Sequence, residues 1–271
     1  MKNFNNKVAV ITGAGSGIGQ ALALDLAKRG CQVALSDVNG QGLKESLTLI
    51  LNAVPGAKVK TYLLDVAGKQ AFIDHANEVM VEYSQVDLLI NNAGVALSST
   101  LDNTKREDFE WLMNINFWGV VNGTEAFLPF LKKSDDGHII NISSVFGMIS
   151  VPTQGVYNAA KFAVRGYTEA LMQDLALSES SVNVSCVHPG GIATNIAKVA
   201  RVSEGDDREK MAADFDKLAH TTPEKAANII LKGVLKNKPR IMVGLDAHFI
   251  HIISRFLGIR YRFLTQWLAK K

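Results

Sequence analysis

Short β-branched runs alternate with amphipathic segments along almost the whole chain, and that alternation leaves very few architectures open. The runs KVAVIT, CQVALSD, AKVKTYLLD, VDLLIN, GHIINIS, VNVSCVH and PRIMVG each read as a buried strand. Between them, helical patterns cover roughly residues 17–29, 40–53, 68–83, 104–131, 155–178 and 223–236. Parallel neighbours need crossover helices, and such crossovers are right-handed. Seven strands in this order therefore predict an α/β fold, a doubly wound parallel sheet with helices on both faces. The carboxyl ends of the strands should form the ligand crevice. No Pro-rich or low-complexity linker divides the 271 residues, so one domain is expected over residues 1–245, followed by an extension over 246–271.

Composition narrows the class further. The chain is 47% hydrophobic and 20% charged, the balance of a soluble globular protein. No apolar run reaches the roughly 18 to 20 residues a membrane-spanning helix needs. The opening MKNFNNKVAV lacks the basic stretch, apolar core and small-residue cleavage site of a secretory leader. A cytoplasmic location is the expectation. Cys31 and Cys186 lie in or beside apolar β-type runs and read as small buried hydrophobes, neither metal ligands nor disulfide partners. A net charge of +3, with no Lys/Arg tract interleaved with aromatics, argues against a nucleic-acid partner.

The stretch TGAGSGIGQALALDLAKRG, from Thr12 to Gly30, places four glycines within seven residues between the first strand and the first helix. Gly13, Gly17 and Gly19 let the chain turn tightly, let a phosphate approach the amides and let the helix pack close to the sheet. Free amides and partial positive charge at the helix start suit a pyrophosphate. The spacing is T-G-x-x-x-G-x-G, not the commoner G-x-G-x-x-G. Asp37 ends the second strand 18 residues beyond Gly19. Its carboxylate can accept hydrogen bonds from an adenosine ribose and would repel a 2′-phosphate, which favours NAD over NADP.

YNAAK places Tyr157 and Lys161 one turn apart on a shared helix face. A free phenol titrates near pH ~10, too high for an efficient base, while a nearby ammonium and a cationic nicotinamide favour the phenolate. Ser144 lies thirteen residues upstream, at the end of GHIINIS, where its hydroxyl can hold a substrate oxygen beside the phenol. Asn116, in MNINFWG, occupies a helix interior, a locally unfavourable place for asparagine.

Over residues 7–194 these motifs resemble the compact branch of the short-chain dehydrogenase/reductase family, and the T-G-x-x-x-G-x-G turn argues against the longer branch of sugar epimerases and dehydratases. The resemblance implies a single-domain Rossmann-like fold and a catalytic set of Asn116, Ser144, Tyr157 and Lys161. It singles out Ser144 over the adjacent Ser143, and implies that Asn116 holds a water linking Lys161 to solvent. It implies that NNAG (residues 91–94) supports the sheet and lines the adenosine side, and that Asp65 in LLDV contacts the adenine. In HPGGIAT, backbone groups and Thr194 would hold the nicotinamide carboxamide. The implied cofactor contacts are Gly13, Ser16, Gly17, Ile18, Gly19, Asp37, Asp65, Val66, Asn92, Gly94, Tyr157, Lys161, Pro189, Gly190, Ile192 and Thr194. NADP users of the family place a basic residue at position 16 or 38; Ser16 and Val38 stand there, which again points to NAD. A homodimer or homotetramer is also implied.

The expected chemistry is hydride transfer between the nicotinamide C4 and a carbinol or carbonyl carbon, with Tyr157 exchanging the proton. That describes an NAD-dependent oxidoreductase interconverting a secondary alcohol and a ketone. Val95 to Leu97, Val145, Phe146, Met148, Val151 and Val156 should border the substrate; they are mostly apolar, so a hydrophobic substrate follows, although a core role suits some of them equally. A 3-oxoacyl carrier-protein reductase and a non-catalytic NAD-binding protein stay open as alternatives. Residues 195–221, with Lys198, Arg201 and Arg208, read as a lid or a solvated excursion. The tail after Asp246 carries Arg255, Arg260, Arg262, Lys270 and Lys271, no acidic residue and many apolar ones. It reads as a helix lying peripherally on an anionic membrane, or as a cover for the substrate mouth or a subunit interface.

Overall fold

A computed structural model describes residues 1–203 and 207–269. The expected alternation appears in order as β1 (Val8–Thr12), α1 (Gly17–Lys28), β2 (Gln32–Asp37), α2 (Gly40–Ala53), β3 (Val59–Leu63), α3 (Lys69–Tyr83) and β4 (Leu88–Asn91). A short β5 (Leu97–Ser98) and α4 (Arg106–Met113) lead through a π turn (Asn114–Trp118) to α5 (Gly119–Leu131). Then come β6 (His138–Ile142), a 3₁₀ turn (Val145–Gly147), α6 (Gly155–Leu177), β7 (Asn183–Pro189) and β8 (Arg201–Val202). The chain continues through α7 (Arg208–Leu218), α8 (Pro223–Leu235), β9 (Arg240–Val243), α9 (Leu245–Leu257), a second 3₁₀ turn (Gly258–Tyr261) and α10 (Arg262–Ala269).

Seven strands pair in the order β3-β2-β1-β4-β6-β7-β9, every pairing parallel. The winding direction reverses between β1 and β4, which opens a crevice at their carboxyl ends. Strand β1 shows why its run is apolar throughout: Ala9 and Ile11 enter the core shared with α1 and α8, while Val10 enters the core shared with α3 and α5. A strand covered on both faces has no polar side to show. In the second core Phe72 and Phe127 are fully buried and meet edge to face, 6.4 Å apart. Such a pair adds about 0.5–1.5 kcal/mol beyond its area.

Two local features depart from the expected pattern. The single helix expected over 104–131 is interrupted by the π turn, which holds Asn116. The segment 195–221 is more than an excursion: β8 pairs with β5 in a second, two-stranded sheet. Arg201 there is no free clamp for a substrate, because it bonds Asp108 at 2.7 Å and stacks over Trp111 with its guanidinium carbon 3.7 Å from the ring centroid. Lys198 pairs with Asp216 at 3.6 Å. Residues 204–206 of that segment, and the tail's Lys270 and Lys271, lie outside the described residues.

Two hydrogen bonds among those of the described residues tie the extension to the body. Asp246 Oδ2 accepts from the Gly191 amide at 2.6 Å, and the Tyr261 hydroxyl accepts from the Ser150 amide at 2.9 Å.

Candidate active site

At the end of β1 the chain turns through Gly13, whose φ of 65° disfavours any side chain. A Cβ there would also stand 2.8 Å from the Ala93 Cα, and one at Gly19 would meet the carbonyl of Gly13. The two glycines are thus needed for the loop to press against α1 on one side and β4 on the other. Asn92 staples the same junction: its Nδ2 donates to the carbonyls of Thr12 at 2.9 Å and Gly13 at 3.2 Å. Thr12 returns the contact, its hydroxyl accepting from the amides of Asn92 and Ala93 at 3.0 and 3.1 Å. Asn92 is therefore engaged in holding the loop. Thr12, quoted only as the opening letter of the motif, is a second staple that the sequence reading did not single out.

Among the described residues no side chain caps the start of α1, and its first turn carries no acidic group. The first amides of a helix have no intrahelical acceptors, so an anion can take them. Ser16 stands at the N-cap and Gly17 and Ile18 begin the first turn. A Cβ on Gly17 would lie 3.1 Å from Thr194 Cγ2, so the turn and the segment after β7 close over the same space. Pro189 ends β7, Gly190 bonds the Val243 carbonyl through its amide at 2.9 Å, and Ile192 is buried beneath them. Asp37 reaches back to the loop, accepting from the Gly15 amide at 2.9 Å and from Asn39 at 2.9 Å. Asp65 is exposed beyond β3 and Val66 is buried beside it. This set of open amides, a glycine-lined floor and a carboxylate at the end of β2 fits a dinucleotide.

Tyr157, Lys161, Ser144 and Asn116 come together across the switch point. Lys161 Nζ lies 5.6 Å from the Tyr157 ring centroid and donates to the Ile142 carbonyl at 3.0 Å. Burial pulls the Lys161 ammonium down to about 8. Burial pushes the Tyr157 phenol up to about 12, with its hydrogen bond to Ser144 pulling the other way. The two shifts run in opposite directions for one reason: burial disfavours the charged form of each group, the ammonium of Lys161 and the phenolate of Tyr157.

The paired serines divide their work. Ser143 donates to the Lys161 carbonyl at 2.8 Å, pinning α6, whereas Ser144 meets the phenol and accepts from the Phe146 amide at 3.1 Å. His188, unnoticed in the sequence, donates from Nδ1 to the Ser144 carbonyl at 3.0 Å. Burial holds His188 down to about 4, so it is neutral at pH 7. Its HPGG context carried the signal, but the partner is 44 residues away.

Asn116 is fully buried, and both ends of its amide are used: Oδ1 accepts from the Val95 amide at 2.8 Å and Nδ2 donates to the Val95 carbonyl at 2.9 Å. That two-way bond explains an asparagine inside a helix. A methyl added to Gly94 would stand 3.3 Å from Asn116 Oδ1 and 3.6 Å from Lys161 Nζ, so these groups border one small space. The apolar wall is smaller than expected. Leu97 and Val156 pack in a core with Leu112 and Ala160, Val145 is buried, and Met148 lines a different cavity. Val95, Ala96, Phe146 and Val151 are the partly open members, and Phe146 stands edge-on to Tyr157 at 6.2 Å.

The sheet order, the glycine turn and the convergence on Tyr157 define a dinucleotide-binding oxidoreductase. The pattern of the short chain dehydrogenase family matches residues 7–205. A Mycobacterium tuberculosis protein named "Putative oxidoreductase SadH" is 49% identical over 266 residues, covering 98% of this chain and 96% of its own length. Human estradiol 17-beta-dehydrogenase 11 is 31% identical over 261 residues, covering 96% and 82%. A short chain dehydrogenase/reductase from Burkholderia phymatum, solved in complex with NAD, superposes with a TM-score of 0.88 at 28% identity, over 97% of each chain. This chain belongs to the short-chain dehydrogenase/reductase family and is an oxidoreductase served by a nicotinamide cofactor.

Proposed function

We propose that the protein interconverts a hydrophobic secondary alcohol and its ketone with NAD(H), using Tyr157 as general acid and base. The observation that carries this is the meeting of the Tyr157 phenol with Ser144 beside buried Lys161, at the edge of the partly open apolar residues Val95, Phe146 and Val151. When bound, the nicotinamide accepts or supplies the hydride and, oxidised, brings a positive charge. In alcohol oxidation Tyr157 Oη takes the hydroxyl proton while the carbinol hydrogen leaves as hydride. In reduction the same oxygen returns a proton to the carbonyl. Ser144 Oγ donates to the substrate oxygen and keeps it in line with the phenol. Lys161 supplies a second charge once the phenol has been brought low enough to ionise alongside it. Asn116 acts through Val95, fixing the backbone that borders the substrate.

For cofactor choice, the Asp37 carboxylate stands at the loop edge with Val38 exposed next to it, an arrangement that suits ribose hydroxyls and opposes a 2′-phosphate. The test is initial-rate NAD⁺ reduction across secondary alcohols of increasing apolar size, with Tyr157→Phe as the blank. A kcat/KM that climbs with size and vanishes in the variant supports the reading. Turnover limited to small polar alcohols, or faster with NADP⁺, overturns it.

A further inference from the structure

After the last strand the chain adds α9, a 3₁₀ turn and α10. Along α9, Leu245, Phe249, Ile252 and Phe256 are 90%, 61%, 54% and 84% exposed. At helical spacing these four fall within an arc of roughly 60° and form one stripe. Ala247 lies on the opposite side and is fully buried, so the stripe points away from the body. Ile259 and Phe263, beyond the end of α9, are also exposed. Arg255, Arg260 and Arg262 are interspersed with these residues, and no acidic residue follows Asp246.

A cavity of about 370 Å³ adjoins α9, bounded by Arg165, Arg240, His251, Ser254 and Arg255 together with Met148. Arg165 and Arg240 share one carboxylate, Glu169, so positive charge is in excess there. His251 registers it: burial first, and then the fields of Arg240, Arg255 and Arg165, hold its pKa down. Among the described residues no helix is long and apolar enough to cross a membrane.

We propose that α9 and α10 dock this protein flat on a membrane surface rich in anionic lipid. The apolar stripe enters the boundary between headgroups and acyl chains, and the arginines meet lipid phosphates. A second copy is the poorer occupant. Pairing two extensions would bring their arginines together with no carboxylate after Asp246 in either to offset them. The bond from the Ser150 amide to Tyr261 sets the docked face beside the loop that follows Ser144. This inference is independent of the substrate reading above.

The test is flotation of the full chain with phosphatidylcholine vesicles, with and without phosphatidylglycerol, at low and high salt. The wild type should float with anionic vesicles at low salt, far less with neutral ones, and be released as ionic strength rises. Phe249→Glu combined with Phe256→Glu should stay soluble throughout. Arg255→Ala combined with Arg260→Ala should lower partitioning about 30-fold, roughly five-fold for each cation removed from an anionic surface. Unchanged melting temperatures and NADH binding confirm that the variants fold. Wild-type protein that stays soluble with anionic vesicles at low salt overturns the proposal. So does a paired-glutamate variant that drops in particle mass while binding vesicles as the wild type does, which would assign the stripe to a subunit interface.

Discussion

Replacing Lys161 with methionine isolates the charge that the catalytic proposal needs. With the ammonium 5.6 Å from the phenol ring and an effective dielectric of about 20, Coulomb's law gives about 3 kcal/mol, or about 2 pKa units, of help to the phenolate. With burial as the largest cause, the phenol stands at about 12 and Lys161 at about 8. The lysine is therefore charged at neutral pH and can act once an oxidised nicotinamide has brought the phenol within range. The assay is kcat for alcohol oxidation against pH at saturating NAD⁺. Near pH 7 the variant should be slower by about 100-fold, its alkaline rise displaced upward by about 2 units. The deficit should narrow as pH climbs past about 8, where Lys161 loses its proton in the wild type. The variant also leaves the Ile142 carbonyl without its donor, a loss of about 1–3 kcal/mol that thermal melts would report separately. A deficit of constant size from neutral to alkaline pH would refute the electrostatic role and leave Lys161 as a structural or cofactor-holding group.

Tyr157→Phe should abolish oxidation while NADH titration by fluorescence shows binding within a few-fold of wild type; appreciable turnover would sink the acid–base assignment. Asp37→Ser should raise the NADP⁺ to NAD⁺ ratio of kcat/KM by about ten-fold or more, equivalent to at least about 1.4 kcal/mol, and an unchanged ratio would remove Asp37 from cofactor selection. Asn141→Ala should cost about 1–3 kcal/mol in urea titrations, because the Asn91 amide donates to its Oδ1 at 2.9 Å and its own Nδ2 donates to Thr168 at 3.0 Å inside the sheet. His75, His138 and His188 are held by burial at about 4, 3 and 4. Each binds its proton more readily when unfolded, so their stabilisation is present above pH ~6.5 and is lost as pH falls towards 4, by up to ~1.4 kcal/mol per pH unit for each. A urea midpoint that does not move between pH 7 and pH 5 would contradict that sign.

The seven strands, their parallel sense and the crevice were legible because their causes are local. A two-face-buried strand shows itself as an apolar run, a dinucleotide turn as glycines at fixed spacing, and a helix-borne pair such as Tyr157 and Lys161 as an interval of four. Segments with two plausible fates were less legible. Leu97 and Val156 are apolar whether they line a substrate or fill a core, and only the packing of Leu112 and Ala160 against them decided for the core.

What escaped altogether are contacts whose partners lie far apart in the chain. Asn116 bonds Val95 across 21 residues, His188 holds Ser144 across 44, Asp246 holds Gly191 across 55 and Tyr261 meets Ser150 across 111. The upward push that burial gives the Tyr157 phenol belongs with them, because burial depends on every element packed around the phenol. Backbone propensity, side-chain period and turn geometry act over a few residues and are written where they act. Distance, desolvation and hydrogen-bond partnership between remote segments exist only once the sheet has brought those segments together.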